Sequence, residues 1–246
     1  MNLAARMLGE LDGWSRIPAP PATSKEDDMP NTAPATGQHF SAPRDAHTQG
    51  RLEFSRGAAH LTIHGASMED LFRARFDQPA PSVTVDGGTV TVRYPRFGER
   101  GWLRPRSRLG GEVTLNQDMA WHIEIRGGVA QLDADLRVLR LEALDLGQGA
   151  SQVQVRLPRP TGVVPVTIHG GASDLRIHRP AGVPVRLRVG HGVADLRFDE
   201  QQWGAVGGEL RLATPEATQA PDRYEIEIGS GAAHLEITAE EAGARP

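Results

Sequence analysis

Six glycine-led segments repeat one pattern along this chain, and a repeat of that length admits few folds. They are Gly57-Ala-Ala-His-Leu-Thr-Ile63, Gly128-Val-Ala-Gln-Leu-Asp-Ala134, Gly149-Ala-Ser-Gln-Val-Gln-Val155, Gly171-Ala-Ser-Asp-Leu-Arg-Ile177, Gly192-Val-Ala-Asp-Leu-Arg-Phe198 and Gly231-Ala-Ala-His-Leu-Glu-Ile237. Gly128, Gly149, Gly171 and Gly192 follow one another at 21, 22 and 21 residues. Gly231 comes 39 residues after Gly192, and Gly208-Glu-Leu-Arg-Leu212 reads as a degenerate copy between them. Within each copy apolar and polar residues alternate, the period of a strand with one buried face. A second alternating stretch precedes the later glycines: Val164–Ile168, Val185–Val189 and Tyr224–Ile228. Two short strands per repeat cannot bury their apolar faces alone, but stacked at ~4.8 Å they form a continuous inner column. The glycines suit the corners between them, where the chain needs φ > 0 or close backbone approach.

This pattern predicts an all-β fold, a β-solenoid resembling a single-stranded β-helix with about 21 residues per rung. A β-sandwich is the rival, but it requires regular hairpin dipeptides, and only Asp86-Gly87 qualifies clearly. The leucine spacing from Leu136 to Leu146 mimics a leucine-rich repeat once and reads as an ordinary rung. Residues 1–50 differ: Pro18, Pro20, Pro21, Pro30, Pro34 and Pro43 punctuate a stretch without sustained apolar period. That composition predicts a disordered arm. Leu3, Met7, Leu11 and Trp14 stand at roughly helical spacing but have no basic face beside them. The solenoid is expected over residues 51–238. A polar tail over 239–246 would block one end and favour a monomer.

Motifs of catalysis are missing from the sequence. It has no Gly-x-Ser-x-Gly elbow, His-Glu-x-x-His helix or Gly-x-x-x-x-Gly-Lys loop. The chain contains no cysteine, which removes thiolate nucleophiles and Cys-ligated zinc. One solvent-facing column is expected to hold His60, Gln131, Gln152, Asp174, Asp195 and His234. Asp174 and Asp195 occupy the same repeat position and read as neighbours across adjacent rungs, a solvated polar ladder. Calcium would need six or more oxygen ligands, and His60 and His64 stand ~13 Å apart on one strand, too far to chelate one ion. No metal, cofactor or catalytic residue is therefore expected.

The most distinctive segment outside the repeats runs from Arg93 to Arg108. Arg93, Arg96, Arg100, Arg104, Arg106 and Arg108 meet a single acid, Glu99, and are interleaved with Tyr94, Phe97 and Trp102. Arg93, Arg96, Arg100, Trp102, Arg104, Arg106 and Arg108 form the candidate surface for anionic lipid or a protein partner. The bland reading is a solvated loop, because Lys25 is the only lysine and arginine is enriched throughout, as GC-rich coding produces. A net charge of -4 lacks the footprint of a nucleic-acid-binding protein. The N-terminus shows no ordered succession of basic, apolar and cleavage segments that would mark a secretory signal, and no apolar run is long enough for a transmembrane helix.

Three blocks carry a family resemblance: Gly57-Ala-Ala-His-Leu-Thr-Ile-His-Gly-Ala66, Leu71–Phe76 and Val83–Val92. They resemble the N-terminal unit of toastrack (LiaF-like) proteins. The later Gly-Ala-Ser copies are similar to the β-helical repeats of that family and of related "putative adhesin" domains of unknown function. The resemblance covers about residues 51–238. It implies stacked β-rungs and a non-catalytic binding or scaffolding role in bacterial cell-envelope stress sensing or regulation. The chain departs from many such proteins in lacking their transmembrane helices, which implies a cytoplasmic member, peripheral to the inner membrane. Two other readings stand beside it: a self-assembling β-helical scaffold with exposed terminal rungs, and a carbohydrate-active β-helix enzyme.

Overall fold

The fold is described from a computed structural model, over residues 37–95 and 110–240. The described residues form nineteen strands and one short 3-10 helix, Pro215–Thr218. The strands fall into two facing sheets. In chain order they are β1 (Gln38–Pro43), β2 (Gln49–Phe54), β3 (Ala58–Ala66), β4 (Asp70–Phe76), β5 (Ser82–Asp86), β6 (Thr89–Arg93) and β7 (Gly110–Asn116). Next come β8 (Ala120–Ile125), β9 (Val129–Asp135), β10 (Arg140–Leu146), β11 (Gly149–Arg156), β12 (Val163–Ile168) and β13 (Gly171–Pro180). The chain closes with β14 (Val185–Val189), β15 (Gly192–Phe198), β16 (Gln201–Gly207), β17 (Leu210–Ala213), β18 (Arg223–Ile228) and β19 (Ala232–Glu240).

Each rung is a pair of consecutive strands, one in each sheet, as the repeat requires. Rungs stack in parallel and in register, so equivalent side chains form columns. In one sheet Leu61, Leu132, Val153, Leu175, Leu235 and Leu196 follow one another across paired strands. Facing them are Leu52, Ile123, Leu144, Val166, Ile226 and Leu187. All twelve are buried. At ~1.5–3 kcal/mol for each fully buried side chain of this size, such columns supply the main favourable term for the fold. The stretch from Leu136 to Leu146 is an ordinary rung entering β10.

The order of rungs in space is not their order in sequence. The ten-stranded sheet runs β1-β4-β7-β3-β9-β11-β13-β19-β15-β16 and the nine-stranded sheet β17-β14-β18-β12-β10-β8-β2-β6-β5. The last rung, β18–β19, therefore lies between β12–β13 and β14–β15. A mirror arrangement occurs at the other end, where β6–β7 stacks outside β2–β3 and the chain returns to lay β8–β9 on the inner side. Both detours pass through antiparallel strands at or next to the ends of the sheets. Strands β4 and β5 flank β7 and β6, and β16 and β17 flank β15 and β14. Asp86 leads into the expected hairpin, whose turn residues Gly87 and Gly88 have φ of 53° and 81°, the left-handed pair of a two-residue turn joining twisted strands.

Three sequence expectations need correction. The ordered fold begins before residue 51: β1 lies within the stretch read as a disordered arm, with Phe40 and Ala42 packed against the core. Its two inward residues are too few to register as a period. Gly208–Leu212 is no rung copy, because β17 runs antiparallel to β14 at the sheet's edge. The strand β19 extends to Glu240, two residues into the expected tail. β19 is interior, between β13 and β15, so the last rung in sequence is not the last in the stack. The N-terminal helical spacing and residues 241–246 lie outside the described residues.

Candidate functional site

The outer face of the ten-stranded sheet carries the column anticipated from sequence, with a conformational feature that alternation does not reveal. Gln152, Asp174, His234 and Asp195 have φ of 52°, 49°, 52° and 58°. Each is the residue skipped in the pairing, since Ser151 and Val153 pair with Ser173 and Leu175 while Gln152 and Asp174 form no bridge. The left-handed conformation costs a residue with a Cβ roughly 1–2 kcal/mol, least for Asn and Asp. It sets the four polar side chains outside the strand ladder. Because β19 lies between β13 and β15, Asp174 and Asp195 are not neighbours. His234 stands between them, with Nδ1 3.7 Å from Asp174 Oδ1 and Nε2 3.9 Å from Asp195 Oδ2. Further along, Gln131 Nε2 donates to Gln152 Oε1 at 2.7 Å. A shallow groove of about 640 Å³ follows this line, bordered by His60, Gln131, Asp133, Gln152, Asp174 and Arg176. Among the described residues no three His, Asp or Glu side chains converge as a metal cluster. His64 faces Thr114, with Nε2 2.9 Å from its hydroxyl.

The opposite face carries a tighter network that sequence reasoning missed. In-register pairing stacks Glu53, Glu124 and Asp145 on β2, β8 and β10, and three carboxylates at strand spacing repel unless cations lie between them. Arg126 donates to Glu124 at 2.9 Å and to Glu53 at 3.0 Å, and Arg51 donates to Glu124. Arg51 also meets His122 Nδ1 at 3.1 Å, while His122 Nε2 lies 2.7 Å from Asp145 Oδ2. A guanidinium only donates, so Nδ1 is the acceptor and Nε2 carries the proton given to Asp145. Burial alone pushes the Glu124 carboxyl up. Hydrogen bonds from Arg126 and Arg51, with their charges, outweigh it and hold the group below the usual carboxylate range. A lowered folded-state value means stabilisation that is present above the ordinary carboxylate range and lost as pH falls through the lowered value. Glu124→Gln is therefore expected to lower the thermal midpoint at pH 7 and to make no difference at the acid end. Unfolding curves across pH check this, and an equal offset at every pH contradicts it.

Of the arginine-rich segment, Arg93, Tyr94 and Pro95 are described. Arg93 ends β6, where its Nε donates to Ser55 Oγ at 3.3 Å. Tyr94, read as one of the interleaved aromatics, packs instead in the core edge-on to Phe76 with ring centroids 6.2 Å apart. Its hydroxyl donates to the carbonyl of Gly110 at 3.3 Å, tying the two ends of the segment together, and burial, with Asp77, pushes its phenol up. Arg96, Arg100, Trp102, Arg104, Arg106 and Arg108 lie outside the described residues.

Sequence reading also passed over Arg179. It lies in β13 in the inward register of Leu175 and Ile177, is 4% exposed, and reaches Asp199 Oδ2 at 2.5 Å. The alternation was the available signal: Leu175, Ile177 and Arg179 are successive inward positions. Burial pulls the guanidinium below its usual range, while Asp199 and Glu216 act in the opposite sense.

These stacked rungs, with parallel strands in two sheets and antiparallel end strands, can be set beside known proteins. The family model for the N-terminal domain of toast_rack, DUF2154, matches residues 31–178. The chain belongs to the toast_rack family. The match includes β1 and ends within β13, so the C-terminal detour lies beyond it. A solved structure described as a "putative cell adhesion protein" from Clostridium sporogenes is 19% identical, with a TM-score of 0.62 over 83% of this chain and 99% of that one. At that identity the likeness establishes the β-solenoid fold alone. A "putative adhesin" from Bacteroides fragilis is 8% identical over 82% of this chain and 97% of that one, with a TM-score of 0.31. No curated protein matches the chain. Toast_rack membership is consistent with a binding or scaffold module. No helix among the described residues is long and apolar enough to cross a membrane.

Proposed function

We propose that this toast_rack protein is a binding module in bacterial cell-envelope stress regulation, working at the cytoplasmic side of the inner membrane through a protein partner. The observation that carries this reading is the groove along His60, Gln131, Gln152 and Asp174. It is open and lined by side chains that offer both donors and acceptors from successive rungs. A rigid strip of that kind suits an extended protein surface better than a small substrate, which needs an enclosed and largely apolar pocket. The Arg93–Arg108 segment is the second contact, its arginines meeting anionic headgroups while Trp102 and Phe97 sit at the interface.

Photocrosslinking in cells tests the first contact. A probe at Gln154, which borders the groove, is expected to capture an envelope-associated protein, and Gln152→Arg with Asp174→Arg is expected to abolish the adduct while leaving the circular dichroism unchanged. An adduct that survives both substitutions sinks the groove as the docking face. Co-sedimentation tests the second contact. Binding to vesicles containing phosphatidylglycerol at low salt should exceed binding to neutral vesicles by about tenfold, and screening at high salt should remove the difference. Equal binding to both vesicle types defeats the lipid contact.

A further inference from the structure

Four strands finish the two sheets, and three of them carry a device that discourages pairing with another chain. Such devices are charge, proline, a bulge or shortness. Strand β1 ends in Pro43 with a register irregularity between Ala42 and Pro43. Strand β5 ends in Asp86 and follows Pro79 and Pro81. Strand β17 has only four residues and includes Arg211. Strand β16 has none of these. Its sequence, Gln201-Gln-Trp-Gly-Ala-Val-Gly207, contains neither a charged residue nor a proline over seven residues. It pairs with β15 on one side, and among the described residues no strand pairs with its other side. A Cβ built at Gly204 or Gly207 meets nothing within 4 Å, so the strand is uncrowded along its length.

We propose that β16 is a dimerisation strand, pairing antiparallel with β16 of a second copy about a two-fold axis. Self-pairing is the arrangement its chemistry fits. About a centre at Gly204, Gln201 faces Gly207, Gln202 faces Val206 and Trp203 faces Ala205, so no like charges meet. The same axis brings β17 toward its mate in the other sheet, where four residues are too few to pair, and Glu209, 2.8 Å from Arg211, offsets the charge that would repel the second copy. Trp203 and Val206 pack against the core from this strand, and a second copy covers their outer edges. The assembly closes at two. Head-to-tail growth would have to join β16 to β1, whose bulge and Pro43 interrupt the ladder that an incoming strand needs.

Sedimentation of the full chain over a concentration series is the test. A concentration-dependent dimer is expected. Gln202→Lys with Ala205→Lys should weaken it by at least about tenfold, through like charges brought together along the two-fold. Thr84→Lys with Val85→Lys on β5, at the far end, should leave it within about twofold. Because the chain has no cysteine, Gly204→Cys should oxidise to a covalent dimer faster than Val85→Cys, a readout that stands even where the lysine variant folds poorly. A chain that stays monomeric throughout overturns the proposal. So do long polymers, or a dimer that ignores β16 and yields to the β5 substitutions.

Discussion

Replacing Gly170 by alanine is expected to destabilise the fold by about 3 kcal/mol, whereas Gly128→Ala should change stability by less than about 1 kcal/mol. Both are corner glycines with φ on the ordinary side, so conformational freedom does not distinguish them. Crowding does. A Cβ at Gly170 would lie 1.7 Å from the carbonyl oxygen of Gln148 and 2.4 Å from its carbon, and at Gly128 the nearest atom is 3.7 Å away. The obstacle at Gly170 is backbone, which cannot rotate away as a side chain would. Relief requires the corner to move off the neighbouring rung, and that displacement works against the pairing of β11 with β13 from Gly149–Gly171 onward. The same contact recurs at Gly147, where a Cβ would stand 2.1 Å from the carbonyl oxygen of Arg126. In these two repeats the tightest corner precedes the opening glycine, whereas in the first repeat the opening Gly57 is itself crowded, with a Cβ 2.2 Å from the carbonyl oxygen of Gly128. Urea unfolding of the two variants decides the matter: coincident midpoints would mean that the corners are not close-packed.

That contrast indicates what a sequence of this kind discloses. Alternation marks which residues face inward, and recurrence marks the rungs, because every rung faces the same problem of burying one side of two strands. Leu61, Leu132, Val153 and Leu175 could be assigned to one column on those grounds alone. Recurrence cannot say which rung lies beside which, since β12–β13 presents the same inward pattern to β14–β15 as to β18–β19. The detour that lays β18–β19 between them is set by end strands whose sequences, Gln201–Gly207 and Leu210–Ala213, lie outside the repeat. The error about Asp174 and Asp195 follows directly: their shared repeat position was legible, and the His234 between them was not. The carboxylate stack of Glu53, Glu124 and Asp145 stayed hidden for the same reason, because β2 and β8 are far apart in sequence and only become neighbours when β4–β7 stacks on the other side.

Arg179 and Asp199 supply the strongest expected effect at the C-terminal end. Asp199→Ala should cost about 3–5 kcal/mol, since it leaves a guanidinium buried without its counter-charge. The partial exposure of Asp199, 30% by side chain, places the effect toward the lower bound. Some of the loss also reflects its φ of 55°, which aspartate tolerates better than alanine does. Asp199→Asn isolates the charge, because asparagine accepts the same conformation and still offers an oxygen to Arg179. Arg179→Met combined with Asp199→Asn should cost less than Asp199→Ala alone: it leaves no unpaired charge, and packing replaces the orphaned Arg179 Nε, which has no hydrogen-bond partner. The location gives the pair its meaning. Arg179 is in register with Ala239 on β19, yet its partner belongs to the turn after β15, one strand farther along. The bridge therefore spans the inserted rung, and the small side chain of Ala239 leaves room for it. Loss of Asp199 should loosen β14 to β17 ahead of the rest, seen as hydrogen exchange that rises there first while β9 to β12 keep their protection. Uniform exchange through both regions would show that the pair stabilises the whole stack instead of fastening its end.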